Sequence, residues 1–196
     1  MIEKNILVSL YIKSGKSMQE IAKLLNCSVH KIKYWMDNYG IKIRTISDAV
    51  YLKHNPNGDP FKIRKPKTME EAVLYGLGVG LYWGEGTKSN TNSIRLGNTD
   101  PRLIKKFIQF LDKIYGIDFR KLKFGLQVFS DLPAIEARKF WEKELNISPK
   151  QFQKVVVTNS GKVGTYRKKN KTGVLTIYYN NRKLRDILCK EIESIS

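Results

Sequence analysis

The chain is predicted to be α+β, with a small all-helical domain ahead of a mixed α/β domain, and three observations predict it. The first forty residues hold three short apolar-periodic segments separated by turn and cap residues. A turn-rich break, His54-Asn55-Pro56-Asn57-Gly58-Asp59-Pro60, comes next. Beyond it a glycine-crowded helix precedes segments that alternate between strand and helix periodicity. The expected boundaries are a helical domain over 1–54, a basic linker over 55–67 and a mixed domain over 68–196.

From Asn5 to Lys13 the residues Ile6, Leu7, Leu10, Tyr11 and Ile12 recur at helical spacing, and Ser14-Gly15-Lys16 interrupts them. Ser17-Met18-Gln19-Glu20 is a capping box for a second helix, whose apolar stripe is Ile21, Ala22, Leu24 and Leu25. Asn26-Cys27 makes a tight turn and Ser28 caps a third helix, which Gly40 closes. In that helix Val29, Ile32 and Met36 share one face, while His30, Lys31, Lys33, Tyr34 and Asp37 point elsewhere. Two short helices joined by a three- or four-residue turn, with small Ala22 at the crossing, form a helix-turn-helix arrangement. The segment Met18 to Met36 resembles the helix-turn-helix modules of resolvases and sigma-type regulators. That resemblance implies that Ser28, His30, Lys31, Lys33 and Tyr34 reach a major groove and its flanking phosphates. The alternative is a three-helix bundle that binds protein. Ile41 to Thr45 reads as extended, with Lys42 and Arg44 as phosphate or minor-groove contacts or as a charged linker, and Ile46 to Lys53 reads as one or two helical turns.

The second domain opens with Thr68-Met69-Glu70-Glu71 as a capping box and runs through Gly78-Val79-Gly80-Leu81-Tyr82-Trp83-Gly84-Glu85-Gly86, with Gly86 expected to end the helix in a left-handed conformation. Gly76, Gly80 and Gly84 fall four apart on one face. Each interior glycine costs roughly 1 kcal/mol against alanine, so close packing of another helix on that stripe, most simply one of its own kind, is expected. The apolar run is shorter than the roughly 20 residues that span a bilayer, so no membrane association is expected. Glu85 lies in the last turn, where the helix dipole disfavours an anion and a nearby cation would relieve it.

Ser93 to Asn98 alternates as a strand, and Asp100-Pro101 opens a helix whose Leu103, Ile104, Phe107, Ile108, Leu111 and Ile114 face a core. Lys121, Lys123, Gly125 and Gln127 alternate with Leu122, Phe124, Leu126 and Val128, which marks a half-buried strand with a wet, basic face. A helix from Asp131 to Leu145, strands over Gln153–Thr158 and Gly173–Tyr179, a basic loop from Lys162 to Lys171 and a final helix from Arg182 to Ile195 complete the chain.

The 36 Lys and Arg against 18 Asp and Glu leave a net charge of +18 on 196 residues. Residues 1–66 contribute +7 and residues 67–196 contribute +11, so both parts are basic and a polyanion is the expected partner. Two cysteines, Cys27 and Cys189, and two histidines, His30 and His54, are too few for a zinc ribbon or a His-rich nuclease centre, and burial without chemistry is expected for both thiols. With no secretory leader pattern, a cytoplasmic location with reduced cysteines is expected.

Gly80, Leu81, Gly84, Glu85 and Gly86 resemble the end of the motif that defines the LAGLIDADG homing endonucleases, with Glu85 at its metal-binding acidic position. Trp83 stands where that family often has a second acid, Gly78 where it has leucine, and Tyr82 is a looser hydrophobic match. The likeness spans roughly Glu70 to the C-terminus and implies a saddle-shaped sheet whose polar face lies on double-stranded DNA. By that analogy Arg95, Lys121, Lys123, Gln127, Thr176 and Tyr178 face DNA, and the loop residues Lys162, Arg167, Lys168, Lys169 and Lys171 grip phosphates. It also implies a homodimer paired through Gly76, Gly80 and Gly84, which sets one Glu85 per chain beside a Mg²⁺ that assists phosphodiester hydrolysis. Asn98, Lys88 and Lys154 are the further residues it implies near the reaction. A sporulation-regulator family with a similar plan implies the alternative, a helix-turn-helix transcriptional regulator that binds DNA without cutting it. RNA maturation is a third, more distant role.

Overall fold

A computed structural model, describing residues 1–160 and 171–195, shows eight α-helices and a four-stranded mixed sheet among those residues. The chain divides into Met1–Pro60 and Phe61–Ser196.

In the first unit the local cap signals act as written. Ser17 Oγ accepts from Glu20 N at 3.2 Å and Glu20 accepts from Ser17 N at 2.7 Å, so both halves of the capping box start α2 (Met18–Leu24). Asn26 takes φ 46° and Cys27 N donates to Ala22 O at 2.9 Å, which turns the chain within four residues. Ser28 Oγ then accepts from Lys31 N at 3.2 Å to open α3 (Val29–Asn38). Ile21, Ala22, Ile32 and Met36 pack with Leu7 and Tyr11 from the first helix, which starts as α1 (Lys4–Leu7) and widens into a π-helical stretch, Val8–Lys13. Val29 is not part of that core. As the first residue of α3 it borders the turn with Asn26 and Cys27, and it stays 37% exposed. A fourth helix, α4 (Ile46–His54), buries none of its residues.

In the second unit, half of the expected linker is structured. Phe61 is buried, Lys62 N donates to Tyr115 O and Arg64 N to Ile114 O, both at 2.8 Å, because the end of a helix leaves carbonyls that need donors. The elements are α5 (Met69–Glu85), β1 (Ile94–Asn98), α6 (Pro101–Tyr115), β2 (Lys123–Phe129), α7 (Ala134–Leu145), β3 (Val156–Thr158), β4 (Val174–Tyr179) and α8 (Arg182–Ile195). The sheet order is β1-β4-β2-β3, with β4 antiparallel to β1 and β2 and β3 parallel to β2. Ile94, Leu96, Phe124, Leu126, Val128, Leu175, Ile177 and Tyr179 form the buried face, packed with Phe107, Phe110, Leu111 and Trp141 from the helices. Trp141 meets its polar need by donating from Nε1 to Thr172 O at 2.8 Å.

Helix α5 uses its glycines in two ways. Gly78 is buried, and a Cβ there would lie 2.1 Å from the Phe110 ring, so only glycine lets α6 approach. At Gly76, Gly80 and Gly84 a Cβ would meet nothing within 4 Å, and these residues are exposed beside Val73, Leu77 and Trp83. Gly86 is not left-handed, as expected from the sequence, but extended at φ −76° and ψ 141°, because it pairs at once with Leu96 of β1. Glycine is still required there, since a Cβ would sit 2.3 Å from Tyr82 Cδ2. No helix among the described residues is long and apolar enough to cross a membrane.

Candidate nucleic-acid interface

Strand parity builds the second face of the sheet. Register sets Arg95, Tyr178 and Lys123 in one row across three strands, then Gly97, Thr176 and Gly125, then Val174, Gln127 and Val156. None of these is buried, and no strand of the sheet contains an acidic residue. Arg95, Lys123, Lys154 and Lys171 make no ion pair among the described residues. Several arginines elsewhere in the unit are paired: Arg102 with Asp100 at 3.0 Å, Arg120 with Asp118 at 2.8 Å, and Arg138 with Glu142 at 2.8 Å. The Arg102 and Arg120 guanidinium groups hold their aspartates below the usual carboxylate range. Arg95 and Lys123 thus set positive charge on an acid-free face of the sheet, the condition for a fixed positive field there.

The expected contacts are distributed unevenly. Lys123 lies on the open face and donates from Nζ to Lys150 O at 3.1 Å. Gln127 is exposed beside it and donates to Thr158 Oγ1 at 3.0 Å. Lys121 falls short of the strand, in a 3-10 turn over Phe119–Lys121, because the chain pairs with β4 only from Lys123 onward. Lys154 and Lys171 are exposed. Lys162, Arg167, Lys168 and Lys169 lie outside the described residues.

In the first unit, Ser28, His30, Lys31, Lys33 and Tyr34 are all exposed, and they share α3 and its cap. Tyr34 is held edge-on against Trp35 at 5.3 Å, and Trp35 stacks on Tyr39 at 5.6 Å, so an aromatic row stiffens the helix flank. Lys42 is exposed as well. Arg44 corrects the sequence reading. Its guanidinium donates to Gly15 O at 2.8 Å, Tyr11 O at 2.9 Å and Lys16 O at 2.5 Å and lies 3.9 Å from the Tyr11 ring centre, while its own N–H donates to Tyr11 Oη at 2.9 Å. Tyr11 O belongs to the π-helical stretch and Gly15 O and Lys16 O to the loop that follows it, so Arg44 spends its donors tying the two together within the fold.

At the end of α5, Glu85 is exposed and makes no ion pair among the described residues. The cation that relieves the helix end is Lys88, whose Nζ reaches Tyr82 O at 3.4 Å and also bonds Trp83 O. Lys88 O in turn accepts from Arg185 Nη2. Below it, Tyr82 Oη and Arg185 Nε are buried without a hydrogen-bond partner, and burial pushes the Tyr82 hydroxyl up to about 12. Asn98 sits at the end of β1 with its Oδ1 accepting from Asp100 N at 2.9 Å, a turn role. Among the described residues no three His, Cys, Asp or Glu side chains come together as a metal site. The described donors of one chain therefore do not assemble a three-ligand metal site around Glu85, and the Lys88 ammonium occupies the neighbouring carbonyls.

Comparison with protein-family models, with curated proteins and with solved structures finds no match.

Proposed function

We propose that the chain is a double-stranded DNA-binding protein with a helix-turn-helix module and a LAGLIDADG-like sheet domain, acting as a homodimer paired through α5. The observation that carries the reading is the open face of the sheet, whose strands hold no acidic residue and which carries Arg95 and Lys123 without an ion pair among the described residues. The exposed side of α5 supports the dimer, since Gly76, Gly80 and Gly84 leave its backbone open beside exposed Val73, Leu77 and Trp83. Binding without cleavage, as in a transcriptional regulator, suits the end of α5 best, where Lys88 already caps the carbonyls and Glu85 belongs to no cluster of three or more potential metal ligands among the described residues.

Cleavage is the second reading, and one observation favours it. The exposed glycine face of α5 ends at Glu85, so pairing two copies along that face would bring two carboxylates together. One experiment decides between the readings: a randomised duplex library is incubated with the full chain and Mg²⁺, and bound and cut products are scored separately. Retained but uncut DNA supports the regulator. Cut products that vanish in Glu85→Gln while binding persists support the endonuclease, because the amide keeps the size but not the charge that holds a hard cation. Absence of binding overturns both.

A further inference from the structure

The two cations of the open face differ in how they are held. Lys123 leans on a neighbouring carbonyl with a single ammonium on a flexible stem. Arg95 is held at two points. Its Nε donates to Ser93 Oγ at 2.9 Å, and its guanidinium carbon lies 5.3 Å from the centre of the Tyr178 ring. Ser93 is itself fixed. It is 1% exposed, and its hydroxyl donates to Asn90 Oδ1 at 3.0 Å, which turns a lone pair toward Arg95. Asn90 Oδ1 also accepts the backbone N–H of Asn92 and of Ser93, each at 3.0 Å. This chain of bonds runs from the loop before β1 into the first strand residue of the open face.

The two terminal nitrogens of Arg95 keep their donors free among the described residues. The Tyr178 ring flanks the fork on one side, and the next position on the same face of β1 is Gly97, which carries no side chain. A planar, charged fork held by Ser93 and flanked by the Tyr178 ring, with its terminal donors free, matches a planar pair of acceptors. On duplex DNA the major-groove edge of guanine, with O6 and N7, is that pair.

We propose that Arg95 reads a guanine in the major groove, with Ser93 as its positioning residue, in place of serving as one more phosphate contact. This rests on the duplex-DNA reading above. The test begins by selecting a preferred duplex from a random library with the full chain. Arg95→Lys, Arg95→Ala and Ser93→Ala, each checked for native circular dichroism, are then measured on that duplex and on its single-base variants. The expected result is that Arg95→Lys loses roughly 5- to 150-fold of discrimination at one G·C pair, keeps its preferences elsewhere and keeps the salt slope. Ser93→Ala, which leaves every DNA-facing side chain in place, weakens the same single preference in the same direction. The inference is overturned if Arg95→Lys binds every variant as the wild type does while Arg95→Ala weakens all sequences equally and flattens the log–log salt slope by about 0.9, the signature of a phosphate contact. Wild-type protein that selects no duplex at all overturns the underlying DNA reading, a separate result.

Discussion

Arg44 and Arg95 each lie against a tyrosine ring, and the resemblance ends there. In the first unit Arg44 gives its donors to three carbonyls, one in the π-helical stretch and two in the loop after it. In the second, Arg95 commits one nitrogen to Ser93 and presents the rest over an open sheet. One arginine holds the fold together and the other is held by it. The same contrast occurs within α5, where Gly78 is pressed against Phe110 and Gly80, two residues on, meets nothing. An engaged position tolerates no change because its partner is internal; a free one tolerates change until a partner from outside arrives.

The largest effect tests that contrast on the helix. Gly78→Leu should destabilise the second unit by about 3 kcal/mol or more in urea titration, since neither the Phe110 ring nor the α6 backbone can yield the space. Gly80→Leu should leave unfolding unchanged or raise it by up to roughly 1 kcal/mol, the gain of leaving glycine, when measured on dilute protein. In sedimentation it should weaken the dimer if pairing runs through this face. Equal losses of stability in both variants would erase the distinction between the two faces.

Next in size is the arginine pair. Arg44→Ala should cost about 2 kcal/mol, because three carbonyls lose a charged donor at once, whereas Arg95→Ala should stay within roughly 0.5 kcal/mol of wild type in thermal unfolding. A stable Arg44→Ala protein would show that water replaces the guanidinium without loss.

The smallest effect concerns the engaged side of the second unit. Burial raises the Tyr82 hydroxyl to about 12 and raises that of Tyr115 as well, so the neutral forms are favoured in the folded state. Stability from these groups is fully present below about pH 10, the ordinary tyrosine value, and is lost as pH rises toward 12. Tyr82→Phe should be neutral or slightly stabilising at pH 7, because the hydroxyl has no hydrogen-bond partner, and should reduce the alkaline loss. Urea midpoints between pH 8 and 11 read this directly.

Much of the fold is legible in the sequence because its signals are local. The caps at Ser17, Ser28 and Thr68 act within three residues, and in β2 the alternation from Leu122 to Val128 places its inward and outward side chains without help from the rest of the chain. The roles of Arg44 and of the α5 glycines are not legible because they depend on distant partners. The carbonyls that hold Arg44 lie 28 to 33 residues away, and Phe110 reaches Gly78 from another helix. Lys88 looks like a residue near a reaction and acts as the cap of α5, since the loop after Gly86 folds back toward the helix end. Ser93 gives no sequence signal beyond a small polar residue ahead of an apolar strand.

The open face of the sheet, and not basic charge in general, is the proposed contact with nucleic acid. The direct measurement compares two double variants with identical net charge. Arg95→Glu with Lys123→Glu reverses the open face; Arg102→Glu with Arg120→Glu reverses two cations that are already paired to Asp100 and Asp118. Duplex affinity at fixed salt should fall in the first variant by at least roughly tenfold more than in the second, because only the first removes phosphate or base contacts. Equal losses in the two variants would contradict the account and leave net charge alone as the source of binding.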